Sequence, residues 1–132
     1  MFDKSQRGSF KYHFAHLFAF NMTALNLGVW KFKYLFHDFE KPWLMLIWKD
    51  YSRVQQYHRK HNNHHLEYKG NYDFEAMVID WECSRFTKSA MSWTARQEYE
   101  RVLAESPELP KWVFHGIEST LIKLGLNEKF EV

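Results

Sequence analysis

Apolar positions along the chain recur at the spacing of helices, and nothing alternates with the period of two that strands need. Phe14, Leu17, Phe18, Met22 and Leu25 fall three or four residues apart, which predicts a buried helix, and Gly28 stands where such a helix would stop. A shorter apolar helix is predicted over residues 30–39. Pro42 fits the first turn of a third, with Leu44, Ile47, Trp48, Tyr51 and Val54 on its inner side, fraying near Asn62-Asn63. Gly70-Asn71 marks a turn. Phe74, Met77, Val78, Trp81 and Arg85 share the stripe of a fourth helix, which puts Asp80 beside its inner face.

A fifth helix is predicted to start near Ser92 or Thr94, with Gln97 three residues after Thr94 as in a capping box. Ser106-Pro107 and Pro110 break the chain, and Val113, Ile117, Leu121 and Leu124 line a last helix that closes at Gly125. The expected fold is an all-α bundle of about five to seven helices. At 132 residues, with no repeat or interior linker, the chain reads as one domain. Residues 1–10 are expected to be a flexible N-terminus, and the helices of 92–132 to pack back on the core.

Composition narrows the picture. Aromatic residues make up 19% of the chain, enough for a sizeable core at this length. The apolar run 14–30 is interrupted by His16, Asn21, Thr23 and Asn26, so it does not read as a membrane span. One cysteine, Cys83, cannot form an internal disulfide, and with no apolar leader a reducing, cytoplasmic setting is expected. The net charge of +2 suits an anionic small molecule as readily as nucleic acid. Positive charges are dispersed and no helix-turn-helix pattern emerges, which places DNA binding last.

The histidines change the picture most. Seven of eight lie between residues 13 and 65, which makes metal chemistry the first expectation. Potential ligands come from separated pieces: His13 and His16, His37-Asp38, His58 and His61, His64-His65, and Asp80. Imidazole and carboxylate together suit Mn, Fe, Zn or Co. His13 is expected at the surface or behind the ligands, and His16 reads equally as a hydrogen-bonded core histidine. His61, among Lys60, Asn62 and Asn63, is as compatible with exposure as with a site.

The joint order His…His-Asp…His…His-His…Asp resembles the HD-domain superfamily of metal-dependent phosphohydrolases. His37-Asp38-Phe39-Glu40-Lys41 looks like its HD-x-x-K string, and His58 with His64-His65 looks like the histidines that its two-metal branches add. More closely, residues 13–90 resemble a family of small bacterial and phage proteins without an assigned reaction. Their pattern is a helix-borne His, HD-x-S-K, His…Arg-Asn-x-His-His, and Glu-Met…Asp-Trp. Asn62, Met77 and Asp80-Trp81 stand in register with it, but Glu40 replaces the Ser, and His61 stands where Arg is usual. The short spacing to His37 leaves the choice between His16 and His13 open.

The resemblance implies one ion on His16, His37, Asp38 and Asp80, and a second on Asp38 with some of His58, His64 and His65. It implies hydrolysis of a nucleotide-like phosphate ester, with Asp38 and Lys41 catalytic and Lys41, Arg53, Arg59 and Arg85 as phosphate contacts. An oxygen-using di-iron enzyme on the same fold, and a binding protein that captures a nucleotide without cleaving it, are the alternatives. The sequence does not decide between monomer and homodimer.

Overall fold

In a computed structural model the described residues are 9–84, 86 and 94–127. The N-terminal stretch 1–8, Ser92 and Arg85 lie outside them. The described residues form six α-helices and one 3-10 helix, with no strand: α1 (Phe10–Asn26), the 3-10 helix (Phe32–Phe36), α2 (Glu40–Ile47), α3 (Tyr51–His61), α4 (Phe74–Ser84), α5 (Ala95–Glu105) and α6 (Lys111–Lys123). The all-α expectation is met.

The centre of the bundle is α4, whose run Ala76-Met77-Val78-Ile79 is apolar on all sides and is buried throughout, as a helix without a polar face must be. Asp73 starts it by accepting the Ala76 amide at 3.0 Å. Helices α1, α5 and α6 pack around α4, and α2 packs with α3 at the α1 side. Phe20 and Ala24 of α1 meet Met77 and Ile79 of α4 and Ile117 and Leu121 of α6 in one core. Each such side chain contributes about 1.5–3 kcal/mol by leaving water. Gly116 allows α6 to approach closely: a Cβ there would collide with the Phe74 ring.

The last helix follows the sequence reading, with Val113, Ile117, Leu121 and Leu124 all buried and Gly125 at φ +72° just past its end. Thr94 caps α5, and its capping box with Gln97 is complete. Three expectations are corrected. The predicted inner stripe of α1 faces outward: Phe14, Phe18, Met22 and Leu25 are exposed, and the buried face carries Tyr12, His13, His16, Phe20, Thr23 and Ala24. The helix expected over 30–39 is a five-residue 3-10 helix followed by a turn at 37–39. The single helix expected from Pro42 to Asn62 is two, because Trp48 is extended and Asp50 begins α3 by accepting the Ser52 amide; Ile47 is exposed, not inward. No described helix is long and apolar enough to cross a membrane.

The link between α1 and the 3-10 helix is pinned on both sides. Asn21, mid-helix in α1, donates to the Tyr34 carbonyl at 2.8 Å and accepts from Trp30 Nε1 at 2.8 Å. The Tyr34 hydroxyl donates to Glu75 at 2.6 Å, and Lys33 pairs with Asp73 at 2.8 Å. The chain entering residue 37 is therefore held against both α1 and the start of α4.

Candidate metal centre

Five stretches of chain deliver buried ligand side chains to one place. His16 comes from the buried face of α1, and Asp80 from the middle of α4, which packs on it. His37 and Asp38 come from the turn between the 3-10 helix and α2, where Asp38 takes φ +56°. That conformation is uncommon outside glycine, and Asp tolerates it better than most residues. His58 comes from α3 and is fully buried; His64 and His65 follow in the loop after it.

The geometry forms two groups with one shared member. His16, His37, Asp38 and Asp80 each offer a ligand atom, and those atoms lie within 4.8 Å of one another. Asp38, His58, His64 and His65 do the same. In the first group His16 Nε2 is 2.8 Å from Asp80 Oδ1 and 3.6 Å from Asp38 Oδ2, and His37 Nε2 is 3.1 Å from Asp80 Oδ1. In the second, His58 Nε2 and His64 Nε2 lie 2.9 and 3.0 Å from Asp38 Oδ1. The His58 contact lacks the alignment of a hydrogen bond, and buried His65 Nε2 has no hydrogen-bond partner among the described residues. A buried imidazole nitrogen without a partner costs free energy unless something binds it.

The electrostatics favour ligation. Burial pushes His37 down to about 4 and His65 down to about 2, so both imidazoles are neutral near pH 7, the form a metal needs. Burial works against ionisation of Asp38, but His37, Lys41 and His58 around it hold the carboxyl well below its usual range. Burial likewise opposes Asp80, and the hydrogen bonds from His16 and His37 outweigh it. Burial opposes a charge on His58, but Asp38 and Glu40 raise its pKa above the ordinary value, so a metal would have to displace a proton there. With imidazole and carboxylate donors together, the buried His/Asp cluster can hold a divalent transition metal.

Around these groups stands a supporting shell. Glu40, at the start of α2, accepts from His58 Nδ1 and, at 2.7 Å, from Asn62 Nδ2. Burial opposes its ionisation, but the His58 contact keeps Glu40 below its ordinary value. Phe20 stacks on the His37 ring with centroids 3.7 Å apart and planes 10° from parallel. A cavity of about 160 Å³ reaches His16, Asp38, His65 and Asp80, with Lys41, Arg59 and Arg101 in its walls. Lys41 Nζ lies 3.5 Å from Asp38 Oδ2; burial opposes its charge, but Asp38, Tyr51 and Asp80 raise its pKa above the usual value. A second cavity, of about 250 Å³, reaches His37, Asp38 and His64 past Asn62 and Asn63.

All seven ligands expected from the sequence thus converge. Between the two candidates on α1, His16 is the one in the group. His13 is buried, not at the surface, and belongs to neither group; burial lowers its pKa. His61 is exposed and stacks on Tyr57, and His115 is exposed on α6. Of the expected phosphate contacts, Lys41 and Arg59 line the cavity, though Arg59 also pairs with Glu67 at 3.7 Å. Arg53 does not line it: its guanidinium lies over Trp48, 4.4 Å from the ring centroid. Sequence reading missed Arg101, which arrives from α5, and the role of Glu40, whose signal was its departure from the resembling motif.

Comparison with protein-family models, curated proteins and solved structures returns no match.

Proposed function

We propose that the chain is a metal-dependent phosphohydrolase of the HD type, acting on a nucleotide-like phosphate ester. The observation that carries the reading is the sharing of Asp38 between two four-residue groups of candidate ligands beside a cavity that Lys41 also lines. Orphaned His65 Nε2, the neutral imidazoles and the ionised carboxylates fit one or two ions of Mn, Fe, Zn or Co. His16, His37, Asp38 and Asp80 would hold one, and Asp38, His58, His64 and His65 the other. Such ions supply Lewis acidity toward a phosphoryl group and lower the pKa of a water.

The chain's own side chains do the rest. Lys41, charged and nearly enclosed, offers a fixed ammonium to a phosphate oxygen entering the cavity, and needs no rearrangement to do so. Arg59 and Arg101 stand in the walls too, but each is paired, Arg59 with Glu67 and Arg101 with Glu98 and Glu105, so an anion would have to compete with those carboxylates for them. Tyr12, Tyr51 and Trp81 furnish aromatic surface in the same walls for a base.

The test is a screen of mononucleotides and cyclic dinucleotides with protein reconstituted in Mn, Fe, Zn or Co. Release of phosphate or of a linear product, lost in Asp38→Asn, supports the reading. Nucleotides recovered intact from saturated, metal-loaded protein would replace hydrolysis by capture, and consumption of O₂ by an iron-loaded form would replace it by oxidation.

A further inference from the structure

The outer side of the 3-10 helix and α2 is apolar and open. Phe32, Phe36, Phe39 and Trp43 form a ladder of edge-to-face rings, with successive centroids 5.9, 5.8 and 6.5 Å apart. Leu46 and Ile47 extend it, because positions 39, 43, 46 and 47 share one side of α2. All six side chains are between 53 and 71% exposed, and α2 has no buried residue at all. An eight-residue helix is too short to be stable by itself, and α2 is held only through its half-buried inner side, against α1 and α3, with its outer side uncovered.

We infer that this face is the contact between two copies of the chain. Side chains of this size present about 150–250 Å² each, so the six leave on the order of 700 Å² of apolar surface open, beyond the ~300–600 Å² of a typical monomer's largest patch and close to the ~800 Å² per partner of a standard interface. Phe14 and Phe18 on α1, against which α2 packs, are open as well. The charge pattern selects a protein over an anionic bilayer. Both charged residues of α2 turn toward the metal centre, Glu40 to His58 and Lys41 to Asp38. Of the lysines near the ladder, Lys31 is engaged by Glu75 at 2.9 Å and Lys33 by Asp73 at 2.8 Å, which leaves exposed Lys49 just past the end of α2. Surface-bound helices carry free Lys and Arg on the polar side, whereas the cores of homodimer contacts are aromatic and poor in charge. An isologous pairing also presents each copy with a surface of identical composition.

Sedimentation velocity of the full chain from about 1 to 100 µM tests the inference, which is independent of the reaction catalysed. The expected species has twice the 16.1 kDa chain mass. Ile47→Glu is expected to raise the dimer dissociation constant at least ~100-fold. Ile122→Glu, at another exposed apolar position, on α6, is expected to leave it unchanged. Both positions are open in the single chain, and an unaltered helical circular dichroism spectrum shows that the variants fold. A wild type that stays monomeric at 100 µM overturns the inference, as does a dimer indifferent to Ile47→Glu. A monomer that co-sediments with phosphatidylcholine vesicles would assign the face to a membrane instead.

Discussion

Glu40 holds the outer nitrogen of His58: its carboxylate accepts from Nδ1 while Nε2 of the same ring points at Asp38, 2.9 Å away. A carboxylate behind an imidazole fixes the ring and its tautomer and makes it a better ligand, an effect of about 10–100-fold on metal affinity. Glu40→Ala is therefore expected to weaken the ion held by Asp38, His58, His64 and His65 by that factor, and to leave the ion held with His16 and Asp80 nearly unchanged. Competition titration with a chromophoric chelator resolves the two; equal weakening of both would reduce Glu40 to a structural role.

Asp38 belongs to both groups and Asp80 to one. Elemental analysis is expected to find about two metals per chain in the wild type. It should find about one in Asp80→Asn and in His65→Ala, and close to none in Asp38→Asn. A single equivalent in the wild type, unaffected by His65→Ala, would leave only the site of His16, His37, Asp38 and Asp80.

The ligands span residues 16 to 80 and come from elements that otherwise meet mainly through side-chain packing. Metal binds this folded arrangement far better than the open chain, so loading to ~100 times the dissociation constant adds about 2.7 kcal/mol. For a domain of this size the expected rise in Tm is about 10 °C, reversed by a chelator. Calorimetry before and after chelation checks it.

Glu75 links three elements, accepting from Tyr34 at 2.6 Å and pairing with Lys31 at 2.9 Å and Lys123 at 3.2 Å. Burial opposes its ionisation, but the Tyr34, Lys31 and Lys123 hydrogen bonds carry it from 4.5 down to about 2. With the folded value below the unfolded one, the stabilisation is complete above pH 4.5 and is lost as pH falls toward 2. Glu75→Gln is expected to cost on the order of 2 kcal/mol at pH 6, discounted for its solvent-facing lysines, with the difference from wild type closing at acid pH. Denaturant titrations of metal-free protein at pH 6, 4 and 3 measure this.

Gly116→Ala drives a methyl group into the Phe74 ring. A loss of about 1–3 kcal/mol is expected from overpacking between α6 and α4, with metal stoichiometry retained. Thermal melts of metal-free and loaded protein separate the two effects.

The fold was most legible where apolar spacing and burial agree. On α6, Val113, Ile117, Leu121 and Leu124 predict the buried stripe correctly, because nothing on that helix except packing competes for the inner face. On α1 the same logic picks the wrong side. His16 must reach Asp80, so the inner face goes to His13, His16 and Phe20, and Phe14 and Phe18 are turned out by the 3.6-residue period. Residues 37–39 defeated the helix expected there because Asp38 leaves helical space. The candidate ligands were legible because histidine and aspartate carry their chemistry in any order. Arg101 was not, since its approach to the cavity depends on how α5 packs against α4. Arg53 shows the converse: a cation near the motif in sequence that spends its charge on Trp48.

The left-handed backbone at Asp38 places a second restriction on a position already chosen by chemistry. Glycine, asparagine and aspartate enter that region at little cost, while alanine, glutamate and the branched residues are strained there. Glycine has no side chain to offer, and an asparagine amide brings no charge to balance an ion. Only aspartate satisfies the turn and the centre together. Replacement by glutamate, which keeps the charge, would be opposed by the main chain before any metal is considered.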